Sequence, residues 1–305
     1  MKNKKKILIV GCGNMGTAHL TSFLKAKSKY HITVIDKIST INKLKRKFSD
    51  NFLQFQDKLP KKKSFDLAVI ATGSKERFLV SSIIIKNNSI KKILLEKFIF
   101  LKKIDYVKFD TLLNSKKIKC YVNCWGTTLS RLLNFPKMIN EKTTINVTIN
   151  TGEYLTNLIH ILNLIFDSIG FKKVNNCKLT IDKVLKSKVK GYNEILGKLS
   201  FCTINRNIYV NISSKKMKNI FKIENKTQTK KKSQIYLNNK LKLIKQYNKK
   251  LKKFDFPLSS VYTEKIYKNI NSTKYPYKFI DYEYAKKLSL LILNLISKNK
   301  NLSIR

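Results

Sequence analysis

With 305 residues, 43% of them hydrophobic, the chain is long enough for two domains of ordinary size or one large one, and too apolar to stay disordered. A formal charge of +46 first suggests a polyanion partner. Yet only five of the 64 basic residues are arginines (Arg46, Arg77, Arg131, Arg206 and Arg305), and nucleic-acid readers rely on arginine for bidentate contacts to phosphate and guanine. The lysines run along the whole chain, with short clusters at Lys4–Lys6, Lys61–Lys63 and Lys230–Lys232, so the charge reads as a solvated surface without a specific nucleic-acid site.

The first part of the chain alternates strands with helices. "KILIVG" is a continuous apolar run ending in glycine, the pattern of a buried parallel strand. Asn14 to about Ala26 reads as a helix, "ITVID" as a strand ending at Asp36, and Thr40 to Phe48 as a helix. "FLQF" is a weak third strand and "DLAVIATG" a strong fourth. A helix over Lys75 to Lys86 leads to a fifth strand, "KKILLEK", which ends at Glu96 and Lys97. A helix over Ile104 to Leu113 and a sixth strand, "KIKCYVNCW", complete the series. This alternation predicts a doubly wound parallel sheet covered on both faces.

The pattern then changes. Leu155 to Ile169 is one long apolar helix. From Lys178 to about Ile244 short strand-like runs dominate ("KLTIDKV", "LGKLSFCTI", "NIYVNIS", "NIFKIE", "QIYL"), with "INRNI" as a hairpin tip. The tail from Asp281 to Ser297 reads as a helix. The fold class is therefore α/β plus α+β: a Rossmann-type domain over residues 1–121, then an α+β domain over 122–305 built on a mostly antiparallel open sheet. The tail helix, 281–297, is free in this scheme to pack back on the first domain.

Of the five cysteines, Cys12, Cys120, Cys124, Cys177 and Cys202, none forms a C-x-x-C pair and none sits by a histidine cluster. Reduced, mostly buried thiols are expected, with no metal site. The lysine-rich start leads straight into "ILIVG" without a small-residue cleavage site. The longest apolar stretches are broken by polar residues and too short to span a bilayer. Both features point to a cytoplasmic protein without a membrane span.

The chemistry concentrates at the first turn. Gly11, Gly13 and Gly16 follow a strand and open a helix, with Asn14 and Met15 between them. In a dinucleotide cradle these glycines serve the tight turn, the approach of pyrophosphate, and helix–strand packing in that order. The helix N-terminus then offers free N–H groups to phosphate. Asp36 ends the next strand 20 residues after Gly16, where a carboxylate holds ribose hydroxyls and repels a 2′-phosphate. NAD is the expected cofactor; Lys37 beside Asp36 leaves room for NADP. His19 reads as a helix residue packed near the core of the cofactor domain.

In the order of these motifs the chain resembles the glucose–fructose oxidoreductase, inositol dehydrogenase and rhizopine-catabolism family (Gfo/Idh/MocA). Gly11 to His19 match G-x-G-x-x-G-x-x-H. The turn "ATGS" matches A-T-P, with Thr72 followed by Gly73 in the proline position, and Arg77 stands where a histidine is common. "EKF" matches E-K-P, with Phe98 replacing proline. "TNLIHILN" aligns with D-x-G-x-H-x-x-D on His160, with Thr156, Leu158 and Asn163 at the other positions, and Gly170 fits the end of that helix. "YVNCW" corresponds to the segment that carries N-x-R, with Asn123 matching and Trp125, the only tryptophan, in the arginine position.

The resemblance implies that Lys97 touches both cofactor and reacting hydroxyl, with Glu96, Thr72, Gly73 and Asn123 lining the cofactor, and that His160 relays the hydroxyl proton. Histidine titrates in the range this needs, and a desolvated lysine can be brought toward it. Asn163 can hydrogen-bond a substrate hydroxyl but cannot act as a base. Trp125 reads equally as a platform for a sugar ring and as a buried anchor. The expected activity is NAD(P)-dependent oxidation or reduction at a hydroxyl or keto carbon of a sugar, sugar nucleotide, cyclitol or sugar acid. The positive field favours an acidic substrate, and a homo-oligomer is implied by the family. The altered "EKF" and His160 motifs keep a second reading open: a non-catalytic dinucleotide-binding regulator or partner protein. A polyanion-binding basic protein is the third.

Overall fold

A computed structural model describes residues 4–26, 29–139, 142–171, 174–187, 191–204, 208–227, 232–238, 240–247, 250–256 and 258–299. In chain order the N-terminal elements are β1 (Lys5–Val10), α1 (Asn14–Leu24), β2 (Tyr30–Ile35), α2 (Ile38–Lys47), β3 (Leu53–Gln56), β4 (Ser64–Phe65), β5 (Leu67–Ile70), α3 (Ser74–Asn87), β6 (Ser89–Ile90), β7 (Lys92–Glu96), α4 (Lys103–Ser115) and β8 (Lys119–Asn123). Next come α5 (Gly126–Leu133), β9 (Thr144–Asn150), α6 (Tyr154–Ile169), β10 (Val174–Lys186), β11 (Asn193–Thr203), β12 (Tyr209–Lys215), β13 (Asn219–Lys226), β14 (Lys232–Asn238), β15 (Lys242–Tyr247) and β16 (Lys250–Asp255). The chain ends with α7 (Thr263–Lys268), β17 (Ile280–Asp281) and α8 (Tyr282–Ser297).

The first sheet runs β17-β8-β7-β5-β1-β2-β3. The six long strands are parallel, and only β17 is antiparallel, pairing Ile280 with Val122. Counting those six alone, the order is 3-2-1-4-5-6, the doubly wound arrangement whose order reverses between β1 and β5. Central strands buried on both faces must be apolar throughout, and Ile7 to Val10, Leu67 to Ile70 and Ile93 to Leu95 are all buried. The pair β4–β6 forms a small separate sheet.

The second sheet runs β10-β11-β12-β9-β13-β14-β15-β16. It is antiparallel except where β12 runs beside β9. The alternation of buried and half-buried residues along β9 is that of a strand with one covered face. The α6 helix is almost wholly buried, from Leu158 to Phe166, as its apolar sequence requires. The expected hairpin tip "INRNI" has residues 205–207 outside the described residues, but the flanking β11 and β12 are paired antiparallel. β9, α5, β15 and β16 add to the expected elements.

The chain divides into two compact units: Met1–Trp125 with Leu258–Leu290, and Gly126–Pro257 with Leu291–Arg305. The first crossing falls beside the expected boundary. A single division into 1–121 and 122–305 is corrected by the return of Leu258–Leu290 to the first unit, which begins well before the tail helix. Three contacts account for that return. β17 extends the first sheet at β8, the Tyr30 hydroxyl donates to Glu264 Oε1 at 2.9 Å, and Tyr267 packs its ring edge-on against Phe23. Ile266, Tyr267 and Phe279 join the same apolar core as β1 and β2. Among the described residues no helix is long and apolar enough to cross a membrane. Also among these, no group of three or more His, Cys, Asp or Glu residues is placed to hold a metal. Cys12, Cys120 and Cys124 are buried, and burial together with the Asp36 carboxylate pushes the Cys12 thiol up to about 12.

Candidate cofactor cradle and proton-transfer residues

The turn between β1 and α1 is built from three glycines with different constraints. Gly11 has φ +84°, and a Cβ there would lie 2.8 Å from the backbone nitrogen of Thr72 at the end of β5. A Cβ on Gly16 would lie 1.8 Å from the Gly11 carbonyl oxygen. Gly13 differs: nothing lies within 4 Å of the position its Cβ would take. Gly11 and Gly16 thus let two strand ends and a helix meet, while Gly13 leaves open space over the helix N-terminus. The helix begins without a side-chain cap and without an acidic residue in its first turn, so its leading N–H groups stay available for phosphate. Gly13, Asn14 and Met15 are exposed there.

Asp36 is half-buried just past β2. Its Oδ2 accepts the Cys12 N–H at 2.5 Å and its Oδ1 accepts the Lys37 N–H at 2.6 Å. These backbone bonds aim the carboxylate at the glycine turn. Each oxygen keeps a further lone pair, so ribose hydroxyls can still be accepted.

At the carboxyl ends of β7 and β8 lies a buried polar network. Glu96 is 4% exposed, and its Oε1 accepts from His19 Nε2 at 2.7 Å and from Asn123 Nδ2 at 2.6 Å. Burial opposes its ionisation, but those two hydrogen bonds, the His19 charge and the Arg77 guanidinium hold it below the usual carboxylate range. His19, fully buried as expected, has its Nδ1 2.6 Å from Thr263 Oγ1 on the returning segment. Lys97 follows Glu96 and is partly exposed, and the Lys97–Phe98 peptide is cis. The Asn123 Oδ1 and Thr72 Oγ1 atoms are buried and have no hydrogen-bond partner. Open space at Gly13 and two unsatisfied polar atoms along one sheet edge are what a bound dinucleotide would fill and satisfy, so the residues fit NAD.

The candidate residues fall into two groups. Gly11, Gly13, Asn14, Met15, Gly16, Asp36, Thr72, Gly73, Glu96, Lys97 and Asn123 gather at the carboxyl edge of the first sheet. Trp125, at the end of the same unit, is buried. His160 and Asn163 belong to the second unit, on α6, where His160 is 4% exposed. Asn163 is engaged within the second unit. It is fully buried, its Oδ1 accepts the Thr127 N–H at 2.7 Å, and its Nδ2 donates to Thr127 Oγ1 at 3.1 Å. It satisfies the start of α5, which approaches α6 so closely that a Cβ on Gly126 would sit 2.4 Å from the His160 carbonyl oxygen. Replacing Asn163 with alanine is expected to cost the apoprotein about 1–2 kcal/mol, the range for losing a helix cap. A thermal melt checks this, and an unchanged melting temperature would refute the capping role.

Two residues were hidden from motif reasoning. Glu194 on β11 is buried, and its Oε1 accepts the Leu155 N–H at 2.6 Å, placing a carboxylate at the N-terminus of α6 beside Thr156. Burial is the main cause that raises its pKa. Nothing in "GYNEIL" marks it, because its helix partner is 39 residues away. Arg77 is 3% exposed and binds backbone carbonyls on both sides of Lys97. Its only sequence signal was its place after the "ATGS" turn.

Comparison with known proteins agrees with this geometry. Residues 5–124 match the model of the Gfo/Idh/MocA oxidoreductase family, described as having an NAD-binding Rossmann fold. No curated protein matches the chain by sequence. Among solved structures, a super-repressor mutant of Gal80p from Saccharomyces cerevisiae superposes with a TM-score of 0.73 at 14% identity, over 98% of this chain and 96% of that one. An oxidoreductase from Agrobacterium radiobacter, solved with NAD+, L-tartaric acid and magnesium, gives 0.68 at 12% over 98% and 97%. The WlbA dehydrogenase from Chromobacterium violaceum, solved with NADH and UDP-GlcNAcA, gives 0.66 at 12% over 99% and 95%. At such low identities the superpositions show a shared fold alone. Residues 5–124 are thus similar, in both sequence and cradle geometry, to the NAD-binding Rossmann domain of the Gfo/Idh/MocA oxidoreductase family.

Proposed function

We propose that the protein is an NAD-dependent oxidoreductase acting at a hydroxyl or keto carbon of a sugar, sugar nucleotide, cyclitol or sugar acid. One observation carries the reading: the glycine turn, Asp36, Thr72, Lys97 and Asn123 lie along the carboxyl ends of neighbouring parallel strands, on either side of the point where the strand order reverses. That is where open α/β sheets bind their ligands. NAD, when bound, supplies the hydride acceptor or donor. The chain's own residues do the rest. The α1 N-terminus holds the pyrophosphate, and Asp36 accepts the ribose hydroxyls and disfavours a 2′-phosphate. Lys97 stands at the reacting oxygen, where an ammonium stabilises developing negative charge. His160 moves the hydroxyl proton, and Trp125 contributes apolar surface. The second unit serves as the substrate and oligomerisation domain. The positive field concentrates an acidic substrate, and the cell compartment is the cytoplasm.

NADH titration followed by fluorescence tests the reading. Micromolar binding, tighter than for NADPH, is expected, and no binding of either at millimolar concentration would overturn it. In a substrate screen, Lys97→Ala and His160→Ala are each expected to lower kcat about 10²–10⁴-fold with the melting temperature kept. Unchanged turnover would remove that residue from the mechanism.

A second reading is a dinucleotide-binding regulator without catalysis. It is favoured by Asn163, which stands in the family's last carboxylate position yet caps a helix, and by the fold shared with Gal80p, one form of which is named a super-repressor. Tight NADH binding with no turnover across the screen would decide for it.

A further inference from the structure

Arginine is rare in this chain, and of the three described arginines two, Arg46 and Arg131, are exposed. The third, Arg77 in the first turn of α3, is 3% exposed. Its Nη1 donates to the carbonyl oxygens of Glu96 at 2.7 Å, of Phe98, and of Ile99 at 3.2 Å. Its Nη2 donates to the carbonyl of Thr72. One planar cation therefore binds the backbone immediately before and after Lys97, and ties that segment to the turn after the neighbouring strand β5. Only guanidinium presents donors in a rigid fork that reaches two turns at once; lysine offers a point charge on a flexible stem, and imidazole two donors at most.

We infer that Arg77 is a positioning residue, which sets the place of the Lys97 amine relative to the Thr72–Gly73 turn. Phe98 makes this service necessary. Proline there would restrict the backbone from within, whereas phenylalanine leaves φ free and the segment has to be held from outside. The inference rests on the proposed role of Lys97, but the holding of residues 96–99 is a property of the apoprotein and is measurable without any substrate.

Amide hydrogen exchange and kinetics on Arg77→Lys and Arg77→Gln test it. In both variants the amides of residues 97–99 are expected to exchange about tenfold faster or more, while those of β1 and β2 keep their protection. In the active protein kcat is expected to fall about 10–100-fold, with the NADH dissociation constant changed less than about threefold, because a displaced lysine costs the reaction more than it costs binding. Arg77→Lys keeps the charge, so an equal defect in both variants identifies the fork geometry as the cause. Unchanged exchange at 97–99 overturns the inference. So does faster exchange across the whole first unit with a lowered melting temperature, which would make Arg77 merely structural. Local loosening with kcat unchanged overturns it as well. Turnover that survives Lys97→Ala would remove the lysine reading and the positioning role with it; the exchange result would separate this failure from a failure of Arg77 to hold the segment.

Discussion

Gly13→Ala is expected to lower NADH affinity on the order of a hundredfold, about 2.7 kcal/mol, while leaving stability within about 0.5 kcal/mol of the native protein. The native φ at Gly13 is −64°, which alanine adopts without strain, and nothing lies within 4 Å of the added methyl. The only thing the methyl can obstruct is a ligand approaching the start of α1. Gly16→Ala is the counterpart. Its methyl would meet the Gly11 carbonyl oxygen at 1.8 Å, and that oxygen is backbone that cannot swing aside as a flexible side chain would. A loss of about 3 kcal/mol or more is expected, with the melting temperature down by roughly 10 °C. Circular dichroism melts and NADH titrations on the two variants separate cradle from scaffold. Normal NADH binding by Gly13→Ala would show that phosphate does not sit on this turn.

The second large effect is expected at His19. Removing its imidazole leaves the buried Glu96 carboxylate with Asn123 and Arg77 but without its charged partner, and leaves Thr263 without its contact from α1. Breaking a buried pair in this way costs about 3–5 kcal/mol. The effect should depend on pH with a definite sign. The folded-state pKa of Glu96 is depressed, so its contribution is fully present above its ordinary value of 4.5 and is lost as pH falls through the folded value. The gap in melting temperature between the native protein and His19→Ala should therefore be wide at pH 7 and narrow only as the pH falls below 4.5 through the depressed folded-state value. A gap that stays constant across this range would mean that the charge on Glu96 contributes nothing to the pair.

The contrast between the two halves of the molecule shows what kinds of information a sequence carries. The β1–α1–β2 unit was readable because its signals are local: an apolar run of strand length, glycines at fixed spacing, and a carboxylate 20 residues on. The strands of the second sheet were readable by alternation but not in their order, since the pairing of β12 with β9 joins segments 65 residues apart. The helix α5 escaped detection because "GTTLSRLL" is only eight residues long and opens with glycine and two threonines, which are poor helix formers. Its stability comes from the Asn163 cap and from close packing on α6, both supplied by residues more than 30 positions away.

The same division runs through the candidate site. Residue identities and spacing gave the cofactor class and pointed to the cradle and to the lysine at the end of the fifth main strand, because phosphate binding needs particular backbone freedom at particular positions, and that freedom is written as glycine. Folding settled which polar groups are free for chemistry and which hold the framework. Asn163 aligns with a substrate-binding position yet caps a helix, His19 is tied to Glu96 and Thr263, and an arginine lying in sequence between the two turns it joins holds the backbone around Lys97. Those assignments depend on who meets whom across tens to hundreds of residues, and on how deeply each polar atom is removed from water. Neither quantity has a local signature in the chain.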